Sequence, residues 1–188
     1  MTEESQNSDS TTPVVAIAKG RASVTVPTRN GPVIISRIQD TEHEISGYWA
    51  QTSRPCPKSC IQPIRPVEGI VPIAELELLD MLCDPRAVVV DSRTSDWFEG
   101  GSIAGAVNIP FPEITDRLDE LGCSRTADGW NFDTVGEVAL FCNGPWCGQS
   151  PTAIRAMVAN GFPAGRIHYY RDGMQGWHLL GMTTTAEA

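Results

Sequence analysis

Residues 138–161 read VALFCNGPWCGQSPTAIRAMVANG, and this stretch decides the fold of the chain. The apolar run Val138–Phe141 predicts a strand that is buried on both faces, as in a parallel sheet covered by helices. A polar loop, Cys142–Gln149, follows this strand. After the loop, Ser150 is predicted to cap a helix that ends at Gly161. The stretch therefore predicts one strand–loop–helix unit of an α/β sheet.

The alternation of strand and helix extends over residues 70–185. Two further apolar runs, Ala87–Val90 and Ile167–Tyr170, predict buried strands of the same sheet. Apolar residues at helical spacing predict helical stripes at Ile73, Leu76, Leu79 and Leu82, at Phe111, Ile114, Leu118 and Leu121, and at Ile154, Met157 and Val158. A last short helix is expected through Trp177. We therefore expect an α/β domain of three layers, with a central, mainly parallel sheet flanked by helices.

The first part of the chain has a different composition. Residues 1–12 are polar and acidic and predict a disordered tail, because they bury too little apolar surface to fold. Residues 13–69 predict a small β-rich, proline-containing extension, with three β-branched runs separated by turn residues: Val14–Ile17, Val24–Val26 and Val33–Ile35. Four prolines between Arg54 and Pro66 exclude regular structure there and indicate a linker or a wrapped loop.

The overall charge limits the possible partners. The 188 residues carry 14 Lys and Arg against 23 Asp and Glu, a formal net charge of −9. So acidic a surface repels nucleic acid and anionic membranes, and we expect neither as a partner. No apolar run approaches the ~20 residues that cross a bilayer, and the first residues lack the pattern of a secretory signal. We expect a cytoplasmic protein, in which a reducing environment disfavours structural disulfides.

The candidate nucleophile is Cys142, at the carboxyl end of a predicted strand. Ligands of parallel sheets bind beyond these strand ends. A thiol that lies before a helix N-terminus, in a loop with inward-pointing amides, is stabilised as the thiolate, which is the nucleophilic form. The alternative is a buried cysteine that packs as a small apolar residue.

Three ordered motifs resemble those of rhodanese (thiosulfate sulfurtransferase) domains. They are Asp91-Ser-Arg93 with Trp97-Phe98 and Gly101-Ser-Ile-Ala-Gly-Ala-Val-Asn-Ile-Pro110, then Phe141-Cys-Asn-Gly144 before a helix, then Asp172-Gly-Met-Gln-Gly-Trp177. The resemblance covers about residues 70–182 and leaves the extension unassigned.

The resemblance implies a rhodanese-like fold and a sulfurtransferase activity without a cofactor or metal. A cysteine at a strand end would take sulfane sulfur from thiosulfate or a persulfide and pass it, as a persulfide, to a thiol acceptor. Matched by position, that cysteine is Cys142. Backbone amides of the loop would hold the persulfide anion; its residues are Asn143, Gly144, Pro145, Trp146, Cys147, Gly148 and Gln149. We expect Asp91 and Arg93 to position the neighbouring strand end, and Ser150 to support the loop through its cap.

The sequence departs from the family pattern at three points. Ser102 stands where the motif has histidine, Asp172 replaces the first glycine of the closing motif, and the loop is about two residues longer. Because Asn143–Gln149 contains no Lys or Arg, the charge that recognises an anionic donor would come from Arg155 or Arg93.

Two cysteine pairs leave alternatives open. Cys147 either attacks a Cys142 persulfide, leaving a disulfide, or packs under the loop. Cys56 and Cys60 form part of a metal site, a redox or disulfide pair, or a plain structural loop, and we favour the plain loop. The rival functions are accordingly a non-catalytic binding module, whose partner would contact the extension, and a Cys142–Cys147 thiol–disulfide protein.

Overall fold

The computed structural model describes residues 15–56, 59–127 and 129–186. The predicted disordered tail, residues 1–12, lies outside the described residues. Nine strands are assigned in this part of the chain: β1 Ser23–Val26, β2 Val33–Ser36, β3 Val71–Ile73, β4 Ala87–Asp91, β5 Val107–Asn108, β6 Ser124–Thr126, β7 Gly129–Asn131, β8 Glu137–Phe141 and β9 Ile167–Tyr170. The α-helices are α1 Glu75–Cys83, α2 Ser95–Glu99, α3 Gln149–Ala159 and α4 Gly173–Leu179.

The central sheet has five parallel strands in the order β3-β9-β8-β4-β5. Strand β8 lies in the middle, and its side chains alternate between the two faces because a strand has a period of two residues. Val138 and Leu140 join the core under α3, whereas Ala139 and Phe141 join the core under α1 and α4. This three-layer α/β arrangement confirms the predicted fold class.

The extension contributes to the second of these cores. Strands β1 and β2 pair as an antiparallel hairpin, which confirms the predicted small β-rich element. Val24, Val26 and Ile35 of the hairpin are buried against Leu79 and Phe141 of the α/β unit. The hairpin therefore covers part of one sheet face. No helix in the described part of the chain has the length and hydropathy of a membrane span.

Two of the predicted helices are wrong in detail. Helix α1 begins only at Glu75, so that Ile73 lies in β3 and Leu76 is 43% exposed; the buried stripe is Leu78, Leu79 and Leu82. The predicted helix from Phe111 to Leu121 is a series of turns with one 3-10 turn, Leu118–Leu121. Pro112 keeps only Phe111 out of the helical region; proline is tolerated in the first turn of a helix, so it does not account for the turns that follow.

The predicted strand at Val14–Ile17 is also absent from its described residues, 15–17. The proline-rich segment, in contrast, contains no helix or strand in its described residues 54–56 and 59–66, as expected.

Candidate active site

The loop Cys142–Gln149 joins β8 to α3 at the sheet edge where the parallel strand β4 also ends. Two backbone amides at the start of α4 donate hydrogen bonds to the first two residues of the loop. Met174 donates to the carbonyl of Cys142 and Gln175 to the carbonyl of Asn143, both at 2.9 Å. The closing motif therefore fixes the beginning of the loop.

Gly173 permits this close approach of α4. Its φ of 54° is left-handed, and a Cβ at this position would collide with the carbonyl of Cys142. Glycine alone meets both requirements without strain.

Two thiols, Cys142 and Cys147, lie side by side inside the loop. Their residues are 1% and 5% exposed. The Cys142 thiol donates to the carbonyl oxygen of Cys147, with its Sγ 3.6 Å from that oxygen. The loop thus holds two buried potential nucleophiles close together.

The two thiols differ in acidity. Burial, and then the neighbouring Cys147, raise the pKa of Cys142. The pKa of Cys147 is lowered to about 7, chiefly because the Cys142 thiol donates to its sulfur, and further because the amides of Gln149 and Asn143 donate to it. This corrects the expected position of the thiolate: in this arrangement the negative charge is stabilised on Cys147 and the proton is held by Cys142. The assignment of Cys142 as the sulfur carrier stays a prediction.

Ser150 does not cap α3, contrary to the prediction. The helix begins one residue earlier, at Gln149, and Gly148 is its cap residue without a side-chain hydrogen bond. Ser150 lies in the first turn, and its buried hydroxyl has no hydrogen-bond partner among the described residues. Its amide and hydroxyl lower the pKa of Cys142, but they only partly oppose the larger effect of burial, which raises it.

A buried ion pair joins Asp91 and Arg93 beside the loop. Their charged groups are 2.6 Å apart, and the side chains are 0% and 1% exposed. The hydroxyl of Ser102 donates to the carboxylate at 2.7 Å, and the guanidinium lies 3.4 Å from Oδ1 of Asn143. The network connects the end of β4 to the start of the loop, which gives these residues a positioning role.

Part of the extension covers the mouth of the loop. We call residues 46–56 and 59–62 the cover segment. The guanidinium of Arg54 stacks at 4.2 Å on the ring of Tyr48 and at 3.8 Å on the ring of Trp146. The Tyr48 ring in turn lies 4.9 Å from the ring of Trp97. These contacts form an aromatic and cationic layer over the two thiols.

Hydrogen bonds fasten the cover segment to the loop. The amide of Gln62 donates to the carbonyl of Pro145 at 2.8 Å. Gln175 of α4 accepts from the Trp146 indole at 2.6 Å and donates to the carbonyl of Trp49 at 2.9 Å. The cover segment, the loop and α4 are therefore interlocked.

Arg54 supplies the positive charge that the loop lacks. Arg155 is exposed on α3, and within the described residues no hydrogen bond or ion pair connects it with the loop. Sequence reasoning missed Tyr48 and Arg54, because no local pattern indicates that the proline-rich segment folds back over Trp146. The four prolines were the one available signal of a wrapped segment.

Cys56 and Cys60 are joined by a disulfide, so the favoured interpretation as a plain loop is wrong. A turn in which the Ser59 amide donates to the Pro55 carbonyl brings the two Cα atoms to 4.9 Å, within the range that a disulfide spans. Among the described residues no group of three or more His, Cys, Asp or Glu side chains is arranged to hold a metal ion.

Comparisons with known proteins converge on one family. The profile of the rhodanese-like domain matches residues 75–180. A curated relative, the HTH-type transcriptional regulator Rv0324 of Mycobacterium tuberculosis, is 32% identical over 110 residues, which cover 58% of this chain and 42% of the relative. The chain thus spans less than half the length of this relative.

Two solved structures are partly similar to this chain. A thiosulfate sulfurtransferase from Pseudomonas aeruginosa is 24% identical with a TM-score of 0.48, over 63% of this chain and 21% of that one. A rhodanese-related protein from Thermoplasma volcanium is 22% identical with a TM-score of 0.46, over 62% of this chain and 99% of that one.

Proposed function

Because the chain belongs to the rhodanese-like domain family, we propose that it is a sulfurtransferase that carries sulfane sulfur from an anionic or persulfide donor to a thiol as a persulfide on Cys142. The observation that carries this proposal is the pair of buried thiols, Cys142 and Cys147, in the loop at the end of the central strand, where the pKa of Cys147 is lowered to about 7. A cytoplasmic location, where small thiols are abundant, would supply the acceptor.

The proposed first step uses the proton between the two sulfurs. The Cys142 proton moves to the Cys147 thiolate, and the resulting Cys142 thiolate is stabilised by the amide and hydroxyl of Ser150. It attacks the outer sulfur of thiosulfate; a sulfur–sulfur bond to Cys142 forms, the bond to the sulfonate breaks, and sulfite leaves with its electron pair. The product is a Cys142 persulfide anion beside a protonated Cys147.

Recognition of an anionic donor falls to Arg54. Its guanidinium lies against the loop, and its Nε is buried with no hydrogen-bond partner among the described residues. An unpaired donor on a cation is suited to a sulfonate oxygen, since hydrogen bonds to charged groups are the strong ones. Because both sulfurs are nearly inaccessible, the donor reaches them only when the cover segment moves.

Sulfur loading tests the proposed function. The Cys147→Ser variant, incubated with thiosulfate at alkaline pH, is expected to gain one sulfur atom by intact-mass analysis, and peptide mapping should assign it to Cys142. The alkaline pH compensates for the missing proton acceptor. Cys142→Ser should gain none, while Cys123→Ser, which alters a buried cysteine outside the loop, should load as the wild type does. The proposal is contradicted if neither the wild type nor Cys147→Ser takes up sulfur from thiosulfate or from a small persulfide.

Arg54→Ala is expected to raise the KM for thiosulfate roughly tenfold to a hundredfold, the cost of one charge-assisted hydrogen bond. Arg54→Lys should retain part of the affinity, and Arg29→Ala, an exposed arginine on the hairpin turn, should retain all of it. Steady-state kinetics with thiosulfate, and with a neutral persulfide donor for comparison, measure the effect. Equal losses with both donors would assign Arg54 a structural role instead.

Two observations favour a second candidate function, a regulatory module that binds a partner. The two thiols are almost completely buried, and the curated relative is a transcriptional regulator. A protein that never loads sulfur but binds a partner through the cover segment would have this function.

A further inference from the structure

We propose that Cys147 resolves the Cys142 persulfide within the protein, so that the domain releases sulfide and is left with a Cys142–Cys147 disulfide. An external dithiol reductant then restores the two thiols. This inference rests on the proposed sulfur loading of Cys142 and deepens it, because it identifies the first thiol to react with the persulfide as Cys147 of the same loop, with the sulfur released as sulfide.

The position of the Cys147 sulfur carries the inference. A cysteine that only fills space would have apolar neighbours, but this sulfur accepts from the amides of Asn143 and Gln149. When Cys147 is protonated, its thiol donates to Oε1 of Gln149 at 3.5 Å. The amides that should hold a persulfide anion therefore also lie beside Cys147, whose carbonyl oxygen is 3.6 Å from the sulfur of Cys142.

Burial of the pair favours an internal acceptor over an external one. The ring of Tyr48, the guanidinium of Arg54 and the indole of Trp146 lie over the loop, and Cys142 is 1% exposed. An external thiol must reach the buried Cys142 from outside the loop, whereas Cys147 lies in the same loop with its carbonyl oxygen 3.6 Å from the Cys142 sulfur. Correctly oriented intramolecular groups react with effective concentrations of about 10⁵ M or more, so the internal reaction should be faster at any cellular thiol concentration.

The chemistry of the step balances without an oxidant. The Cys147 sulfur attacks the inner sulfur of the persulfide, so that the Cys142–Cys147 bond forms and the bond to the outer sulfur breaks. The outer sulfur leaves as sulfide and takes the proton of the Cys147 thiol. Two thiols are oxidised to a disulfide and one sulfane sulfur is reduced to sulfide.

A single-turnover experiment tests the inference. The reduced full-length wild-type protein is mixed anaerobically with thiosulfate, without added thiol. We expect one equivalent of sulfide per protein, loss of two free thiols, and a Cys142–Cys147 cross-link in the peptide map. Cys147→Ser should instead keep the persulfide and release sulfide only after a dithiol is added, whereas Cys123→Ser should behave as the wild type. The state of Cys56 and Cys60, which form a disulfide in the structure, is mapped before and after the reaction so that a change in this pair is not counted as a change in the loop.

The outcomes separate this inference from the proposed function. The resolving role is overturned, and sulfur transfer is supported, if the wild-type protein holds a stable persulfide and releases no sulfide. In that outcome Cys147 remains a free thiol and the number of free thiols in the protein does not fall. No sulfur uptake by the wild type or by Cys147→Ser overturns both. The wild-type measurement needs no substitution, so the result does not depend on whether a variant folds.

Discussion

Replacing Cys142 with serine is expected to lower sulfur transfer from thiosulfate by roughly a thousandfold or more, as the loss of a covalent nucleophile does in other enzymes. A hydroxyl at this position would stay protonated in the buried loop and would form no persulfide. The remaining thiol, Cys147, lies beside the same amides but lacks the neighbouring thiol, which has the largest effect in lowering its pKa. The substitution therefore removes the sulfur carrier and also weakens the second thiolate.

Steady-state transfer assays on purified protein measure this loss, and thermal unfolding shows whether the variant is folded. Cys123→Ser is the matched control, because Cys123 is also a buried free cysteine and lies in the core under α3. It should keep the wild-type rate. A Cys142→Ser variant with more than about a tenth of the wild-type activity would transfer the carrier role to Cys147.

The pH profile of the wild-type enzyme follows from the same pair. The first proton lost by the pair has a pKa of about 7, and this value belongs to both sulfurs because they share the proton. The kcat/KM for thiosulfate should therefore rise as the pH increases through about 7 and level off above it. In Cys147→Ser the rise should move to higher pH, because burial raises the pKa of Cys142.

The sheet could be predicted from the sequence because its evidence is local. Strands β4, β8 and β9 are short apolar runs that end at polar residues, and the alternation with helices leaves few possible topologies. The helix predicted over Phe111–Leu121 is wrong although the apolar residues have helical spacing and are largely buried. A series of turns that packs on the core buries the same residues, and spacing alone does not separate the two arrangements.

The site was less predictable, since it depends on contacts between segments that are distant in the chain. Asp91 and Arg93 are two residues apart, and their motif indicated that they interact. Arg54 and Trp146 are more than 90 residues apart, and no periodicity relates them. The pKa of each thiol also depends on which of the two sulfurs the loop N–H groups donate to. The sequence indicates that a loop is present, but it does not indicate the direction of these N–H groups.

Removing the positive partner of the buried ion pair should destabilise the fold strongly. Arg93→Met is expected to lower the free energy of unfolding by about 3–5 kcal/mol, the usual cost of leaving a buried charge without its partner. The carboxylate of Asp91 is 0% exposed and would retain the hydroxyl of Ser102 as a hydrogen-bond donor to its side chain. Denaturant unfolding followed by far-UV circular dichroism measures the change.

A surface ion pair provides the control. Arg86 pairs with Asp84 at 2.9 Å, but its side chain is 85% exposed. Arg86→Met should leave the unfolding midpoint nearly unchanged, because exposed pairs contribute little. If both methionine variants were equally stable, the buried network would not be what joins the end of β4 to the loop.

The double variant Asp91→Asn/Arg93→Met separates the unpaired charge from the lost packing. Without the carboxylate charge the penalty of burying an isolated ion disappears, so the double variant should be more stable than Arg93→Met alone even though it has one more substitution. Sulfur transfer should nevertheless remain low in the double variant, because Asn143 has lost the guanidinium that lies beside its side chain. Stability that recovers while activity does not would show that the arginine positions the loop as well as stabilising the fold. Parallel recovery of both would assign it to stability alone.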